Sequence, residues 1–539
     1  MFHPLFNPTD MRLFYLFLLL LPLHLMAQAE RLPDSRVDVL HYTFDLAVSD
    51  SSDVLRGVCR VQVRCTSPGV QTLALDLVAL RPGGKGMKVA RVQVNDAAAT
   101  FSHQNEQLAI ALPAYRTGDT LIVEVTYAGI PADGLIIGRN RYGDRTFFGD
   151  NWPNRAHHWL PIVDHPSDKA RCEFIITAPA HYQVVANGSL VEEADLPGAR
   201  RRTHWRSDVP LPTKVMVFGA ARFAVGYLGH TAGVPLSSWV YPQNRNEGFA
   251  DYALAARVLA FMVNYIAPYP YTKLANVQST TRYGGMENAG NIFYAETSID
   301  GKGSAEGLIA HEIAHQWFGN SASEASWYHI WLSEGFATYL THLYMEATYG
   351  TAALQAGLRE DRTLVLQHGP ARPVVDTAVA DLNDLLNANS YQKASWVLHM
   401  LRQRVGDSLF QAGVRTYYSR YQLRNAHTAD FQAVMEEVSR QDLDTFFGQW
   451  LLRGGNPVLR GQWRYDSRQQ ALLLTLTQTQ AQPYDLPLAF EVRLPGGSQR
   501  LDLHLREVRQ QYSFPLKTAP AELIFDPQVQ VLADFGWEK

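Results

Sequence analysis

The arrangement of His311, His315 and Glu334 constrains the fold of this 539-residue chain more than any other feature. Residues 305–318 have the apolar spacing of a helix, and two histidines four positions apart lie on the same helix face, about 5 to 6 Å from each other. Eighteen residues separate His315 from Glu334, which stands where a second helix is predicted to begin. A helix, a turn and an antiparallel helix can therefore bring the three side chains to one point.

Two imidazoles and one carboxylate, with a fourth position left open, are the ligands of a catalytic zinc ion. The sequence therefore predicts one Zn²⁺ per chain, bound by His311, His315 and Glu334. Glu312 points about 100 degrees around the helix from its neighbouring ligand, where a base that takes a proton from water must stand. An amphipathic helix can carry the short motif by chance, and only the third ligand makes a metal site the better interpretation.

A second motif, Gly-Gly-Met-Glu-Asn, occupies Gly284 to Asn288 and follows a predicted edge strand at 277–283. Glycine within a strand lets another group approach the backbone closely. A Gly-Gly pair alone indicates only a turn, and a glutamate on a turn is usually a surface residue. The residues by themselves therefore predict a segment that a ligand can approach.

These motifs, together with Trp331 to Tyr339, Tyr391-Gln392-Lys393 and Thr428 to Phe431, resemble the aminopeptidase N family of gluzincin metallopeptidases. The resemblance covers nearly the whole chain after residue 29. It implies that Glu312 is the catalytic base, that Glu287 binds the free α-amine of the substrate, and that the hydroxyl of Tyr391 stabilises the tetrahedral oxyanion. The other expected substrate-binding residues of the motif are Gly284, Gly285, Met286 and Asn288.

The resemblance also implies a second amine-binding residue, a Glu or Gln nine positions before Pro161, but Trp152 occupies that position. Its neighbours Asp150 and Asn151 could supply the oxygen after a small register shift, and Asn151 is the candidate that we carry forward. Another departure is His329, five residues before the third zinc ligand, where many members of the family have aspartate and some have histidine. Zinc-bound histidines usually donate their other N–H to an acceptor, which the sequence does not identify here.

The expected function is that of a zinc-dependent aminopeptidase that releases N-terminal amino acids from peptides with a free N-terminus. Three alternatives stay open: an endopeptidase, an epoxide hydrolase acting at the same site, and a peptidase-like binding protein without activity. The 48 Lys and Arg residues are balanced by 52 Asp and Glu residues. This balance argues against a nucleic-acid partner, which normally requires a basic surface.

Hydrophobic patterning predicts three folded segments. Short alternating runs predict a β-rich N-terminal domain at 30–230, and longer apolar periods predict a mainly helical domain at 231–453, which by the resemblance is thermolysin-like. Alternation returns after Gly454-Gly455 and predicts a small β-sandwich at 454–539. Cys59 and Cys65 alternate with polar residues on one strand, too far apart for a disulfide, and are predicted to be buried thiols.

Residues 1–29 have the pattern of a secretory signal peptide, because an apolar run from Leu13 to Met26 precedes the small-residue site Ala27-Gln28-Ala29. An uncleaved membrane anchor is the alternative, but the run is shorter than the roughly 18 residues of a spanning helix. We therefore expect export, to the periplasm or the exterior, and no membrane association after cleavage.

Overall fold

The computed structural model describes residues 30–538, so the predicted signal peptide lies outside the described residues. The N-terminal part is built from strands, as predicted. In chain order they are β1 (Val37–Ala47), β2 (Leu55–Cys65), β3 (Thr72–Asp76), β4 (Gly86–Val94), β5 (Ala97–Ala98), β6 (Phe101–Gln104), β7 (Gln107–Ala111), β8 (Thr120–Ile130), β9 (Leu135–Arg139), β10 (Arg145–Gly149), β11 (Lys169–Pro179), β12 (Gln183–Ala186), β13 (Ser189–Leu196), β14 (Arg200–Pro212) and β15 (Phe218–Ala221).

These strands form an eight-stranded sheet in the order β13-β14-β11-β1-β2-β8-β4-β5 and two smaller sheets, β12-β15-β10-β9 and β3-β7-β6. The large sheet follows the alternation in the sequence. Along β2 every second side chain is buried, and this set includes Cys59 and Cys65. Burial raises the pKa of the Cys59 thiol well above its ordinary value. The prediction of buried thiols on one strand is confirmed.

The catalytic part begins with a five-stranded sheet. Its strands are β16 (Ala224–Thr231), β17 (Val234–Val240), β18 (Leu274–Ser279), β19 (Gly285–Met286) and β20 (Asn291–Ala295), and the order is β16-β17-β18-β20-β19. β16 belongs to this sheet although it begins before the predicted boundary at 230. β18 is not the predicted edge strand, since it lies between two parallel neighbours and is buried along its whole length. The glycine motif itself forms the edge.

The remainder of this part is mainly helical. Its helices are α1 (Arg245–Tyr252), α2 (Leu254–Tyr265), α3 (Glu306–Ala314), α4 (Trp331–Tyr349), α5 (Thr351–His368), α6 (Ala394–Val405), α7 (Asp407–Tyr421), α8 (Thr428–Ser439) and α9 (Asp444–Leu451). Two short strands, β21 (Ser323–Glu324) and β22 (Asn425–Ala426), pair in parallel beside them. Within residues 30–538, none of the helices has the length and apolar character that a bilayer span requires.

The C-terminal part consists of two sheets, as predicted. Its strands are β23 (Val458–Asp466), β24 (Ala471–Gln478), β25 (Leu486–Leu494), β26 (Gly497–Leu505), β27 (Arg509–Pro515), β28 (Glu522–Phe525) and β29 (Asp534–Trp537). The sheet orders are β27-β24-β23-β29 and β26-β25-β28. Leu472, Leu474 and Leu476 from the first sheet and Phe490 and Val492 from the second are buried in one core, which is the packing of a small sandwich.

Candidate metal centre and active site

Helices α3 and α4 bring the three predicted metal ligands together. His311 lies in the last turn of α3, His315 directly follows that helix, and Glu334 lies in the first turn of α4. Nε2 of His311 is 3.0 Å from Nε2 of His315, and Oε2 of Glu334 is 3.4 Å from the first nitrogen and 3.2 Å from the second. The structure therefore joins the ligands that the sequence spacing predicted.

The three donor atoms fit a zinc ion. Ligand atoms at about 2.0 to 2.2 Å from a tetrahedral zinc stand about 3.3 to 3.6 Å apart. The observed separations of 3.0, 3.2 and 3.4 Å need only a small adjustment to reach that geometry. Nδ1 of His315 lies 3.2 Å from the carbonyl oxygen of Phe318 and 3.0 Å from the hydroxyl of Ser333. Donation from Nδ1 to that carbonyl leaves the lone pair of Nε2 facing the other ligands. Phe318 thus supplies the acceptor for the outer N–H of His315 that the sequence left unidentified.

Glu312 is buried beside the metal ligands and packs against the strand of the glycine motif. A Cβ atom at Gly285 would overlap the carboxylate of Glu312, whereas one at Gly284 would meet only the Leu308 side chain at an ordinary 3.6 Å. Burial raises the pKa of Glu312 well above its ordinary value, and the carboxylates of Glu287 and Glu334 raise it further. Gly285 therefore provides the space in which the predicted base lies.

The backbone of Glu287 is held by hydrogen bonds, and one oxygen of its carboxylate has no hydrogen-bond partner among the described residues. Its carbonyl oxygen accepts hydrogen bonds from Nε2 of Gln316 at 2.8 Å and from Nδ2 of Asn320 at 2.6 Å. The side chain is 5% exposed, and its Oε1 is buried with no hydrogen-bond partner among residues 30–538. Met286 and Asn288 on either side are also buried. A buried carboxylate oxygen without a partner is ready to accept from a ligand.

Tyr391 reaches the same centre from the other side. It lies in a π-helical turn, Asn389–Lys393, immediately before α6, and its ring stacks on that of His311 with the centroids 5.9 Å apart. Burial raises the pKa of the Tyr391 hydroxyl, and the carboxylates of Glu334 and Glu287 raise it further. The hydroxyl therefore stays protonated near neutral pH and can donate a hydrogen bond. Single π-helical turns of this kind occur frequently at functional sites.

The candidates for a second amine-binding residue have other partners. Nδ2 of Asn151 donates to the carbonyl oxygens of Thr213 and Met216, and its Oδ1 accepts from the Trp159 indole. The Asn151 amide thus has partners inside the N-terminal domain, and its role as an amine-binding residue stays a prediction.

Asp150 is also engaged. It pairs with Arg155 and accepts hydrogen bonds from the hydroxyl of Thr281 and the backbone N–H of Arg282. Trp152, at the expected position itself, packs its ring against Tyr283 and Trp327. Both carboxylate oxygens of Asp150 therefore have partners within the protein.

His329 lies away from the metal ligands. Its Nδ1 is 2.8 Å from the hydroxyl of Thr428, which also accepts from the Trp331 indole at 2.8 Å. This contact joins the start of α4 to the start of α8. His329 therefore supports the helix that carries Glu334 without contacting the zinc-binding histidines.

Sequence reasoning missed one charged pair near the centre. Nζ of Lys214 lies 2.6 Å from Oε1 of Glu324, and both side chains are completely buried. A signal was present, since Lys214 is the only charged residue in the stretch 209–218, where Thr213 is the one other polar residue. A lone lysine in such a stretch indicates a buried charge that needs a partner.

The fold and the His-His-Glu centre define a zinc metallopeptidase architecture. The description Peptidase M1 N-terminal domain matches residues 39–215, and the description Peptidase family M1 domain matches residues 250–450. Together the two matches span most of the chain. The chain belongs to peptidase family M1, and the predicted family is confirmed.

Relatives of known name agree with this assignment. Glutamyl aminopeptidase of Homo sapiens is 27% identical over 496 residues, which are 84% of this chain and 50% of the relative. Aminopeptidase M1-C of Oryza sativa is 28% identical over 325 residues, 56% of this chain and 36% of the relative. The chain therefore spans about half the length of the human relative and 36% of the rice relative.

Two solved structures share the fold. Legionella pneumophila aminopeptidase A, in complex with aspartic acid, superposes with a TM-score of 0.82 at 17% identity, covering 94% of this chain and 60% of that one. The M1 zinc metallopeptidase of Deinococcus radiodurans has a TM-score of 0.68 at 24% identity and covers 78% of this chain and 95% of that one.

Proposed function

We propose that this protein is a zinc-dependent aminopeptidase that hydrolyses the first peptide bond of substrates with a free amino terminus. The observation that supports cleavage at the amino terminus is the buried Glu287 beside the His-His-Glu centre. Its Oε1 has no hydrogen-bond partner among the described residues. A carboxylate in a poorly hydrated site binds a substrate ammonium strongly and fixes the scissile bond one residue away.

Each remaining residue has a defined task in this proposal. A bound zinc ion supplies a Lewis acid that polarises water and the scissile carbonyl. Glu312 takes a proton from the attacking water and passes it to the leaving amine. The hydroxyl of Tyr391 donates a hydrogen bond to the oxyanion that develops on the carbonyl. Glu287 holds the terminal ammonium throughout the reaction.

The proposal names no preferred side chain. Relatives carry the name glutamyl aminopeptidase, but the cations near the motif strand are already paired with carboxylates. Arg155 pairs with Asp150, and Arg282 pairs with Asp133. Substrates with an acidic first residue therefore belong in the test beside neutral ones.

The test is a panel of alanyl, leucyl and glutamyl p-nitroanilides, each free and N-acetylated, assayed with and without 1,10-phenanthroline. Hydrolysis of the free forms only, abolished by the chelator and restored by Zn²⁺, is the expected result. Equal hydrolysis of acetylated and free forms would assign Glu287 a different role and favour an endopeptidase. Zinc binding without hydrolysis of any member would favour a peptidase-like binding protein.

We also propose that the protein is exported. The support is the sequence of residues 1–29, an apolar run followed by a small-residue site. N-terminal sequencing of the protein purified from culture medium or periplasm tests this, and a chain that still begins before residue 29 would contradict it.

A further inference from the structure

The pair Lys214–Glu324 joins the two halves of the molecule at a buried position. Lys214 lies in a short turn of the N-terminal domain, Thr213–Val215, and Glu324 ends the short strand β21 of the catalytic domain. Both side chains have zero exposure. A buried ion pair is on average no more stabilising than well-packed apolar side chains of the same volume. Stability alone therefore gives no reason for these charges.

The pair lies close enough to Glu287 for their charges to interact. Nδ2 of Asn320 donates to the Glu287 carbonyl oxygen at 2.6 Å, and the Ser323 hydroxyl donates to the Asn320 carbonyl oxygen at 2.9 Å. The segment that carries Glu324 is thus linked to Glu287 by two consecutive hydrogen bonds. Burial raises the pKa of Glu324, Lys214 lowers it, and the charge of Glu287 raises it. Although burial opposes it, the charges of Glu324 and Glu287 raise the pKa of Lys214.

Glu324 and Glu287 each have one carboxylate oxygen that accepts no hydrogen bond from the described residues. Lys214 binds Oε1 of Glu324, while Oε2 of Glu324 and Oε1 of Glu287 are buried without a hydrogen-bond partner within residues 30–538. Leaving such oxygens unsatisfied costs free energy. An ammonium group that entered between the two carboxylates would satisfy both oxygens.

We propose that Glu324, held by Lys214, is the second carboxylate that receives the free ammonium of the substrate beside Glu287. This inference rests on the proposed aminopeptidase function. In this inference the second amine-binding residue belongs to the catalytic domain, whereas the sequence suggested Asn151 in the N-terminal domain. Lys214 is a positioning residue in this arrangement, because it fixes one oxygen of Glu324 and leaves the other for the ligand.

The test compares Glu324→Gln with Asp526→Asn. Asp526 is a matched control, since it is also buried and also pairs with a cation, Arg362, far from the glycine motif in sequence and in another domain. The probes are alaninamide and its des-amino analogue propanamide, used as inhibitors of alanyl p-nitroanilide hydrolysis. Zinc content and Tm are measured for every variant.

Glu324→Gln is expected to weaken inhibition by alaninamide at least about tenfold, equivalent to about 1.4 kcal/mol, and to raise KM more than it lowers kcat. Inhibition by propanamide, zinc content and the behaviour of Asp526→Asn should stay at wild-type values. If Glu324→Gln does not fold, the double variant Lys214→Met/Glu324→Leu replaces the pair with apolar groups and is expected to show the same selective loss.

Wild-type discrimination between alaninamide and propanamide in either folded variant would overturn the inference. Failure of the proposed function gives a different result, because the zinc-loaded wild-type protein would then not hydrolyse alanyl p-nitroanilide at all. A parallel loss of inhibition by alaninamide and propanamide would also overturn it, since that indicates a general disturbance of the site.

Discussion

Gly285 and Glu312 occupy complementary space: the carboxylate of Glu312 lies where a Cβ atom at position 285 would stand. Substituting Gly285→Ala should therefore displace the base and lower kcat about 10² fold, since a misplacement of about 1 Å has an effect of that size. Gly284→Ala is the control, because its Cβ would make only ordinary contact with Leu308. Steady-state kinetics with zinc analysis checks both variants, and equal activities would contradict the packing explanation.

Replacing the base should separate catalysis from metal binding. Glu312 contributes no atom to the group formed by His311, His315 and Glu334. Glu312→Gln is therefore expected to retain zinc while kcat falls by about 10² to 10⁴ fold, the usual contribution of a general base. Metal content by mass spectrometry and turnover of alanyl p-nitroanilide are the measurements. Normal turnover in this variant would refute the proposed mechanism.

The zinc ligands could be predicted because the geometry is local. Helical spacing fixes the relation of His311 to His315, and a turn of suitable length returns Glu334. The predicted helix at 305–318 nevertheless extends past the observed end at Ala314. Gly319, with φ +114, lies in the turn that follows, and its position is set by close packing against Ser333. Such a contact between a turn and a helix has no signature in the sequence pattern.

Long-range pairs could not be predicted for the same reason. Lys214 and Glu324 are 110 residues apart, and no periodicity links them. The sequence likewise contains no sign that the Asn151 amide donates to the carbonyl oxygens of Thr213 and Met216, and its role in amine binding stays a prediction. Counting residues back from Pro161 shows which residues are near in sequence. Tertiary packing decides which of their side chains face the pocket.

Replacing Tyr391 should change kcat and leave substrate binding nearly unchanged. Its hydroxyl donates only to the charge that develops in the transition state, so Tyr391→Phe is expected to lower kcat about 10² to 10³ fold with KM nearly unchanged. Tyr227→Phe is the control, because Tyr227 is 84% exposed on β16. An unchanged kcat in Tyr391→Phe, or a change confined to KM, would contradict the role in oxyanion stabilisation.

Metal removal should lower thermal stability. The ligands come from two helices, so a bound ion stabilises the folded form by linkage in proportion to its affinity. Treatment with 1,10-phenanthroline is expected to lower the calorimetric Tm of the wild-type protein, and added Zn²⁺ should restore it. Glu334→Ala loses one ligand and should show a low Tm that the chelator changes little. An identical chelator response in both proteins would contradict ligation by Glu334.

His157 should give the N-terminal domain a pH-dependent stability. Its Nδ1 lies 2.7 Å from Asp164, and Glu106 and His158 also face the ring. Although burial alone lowers it, the carboxylates of Asp164 and Glu106 raise the pKa of His157 to about 10. A raised pKa stabilises the folded state fully below the ordinary value near 6.5, and that stabilisation declines as pH rises toward 10.

The corresponding experiment compares His157→Gln with the wild-type protein by calorimetry. The Tm difference should be largest at and below about pH 6.5 and should shrink steadily between about pH 7 and about pH 9, because the unfolded chain loses its proton there while the folded protein keeps His157 charged. Asp164→Asn keeps the imidazole and removes its closest carboxylate, so it should flatten the same pH dependence. A Tm difference that stays constant across this range would show that His157 is not held in its charged form by Asp164.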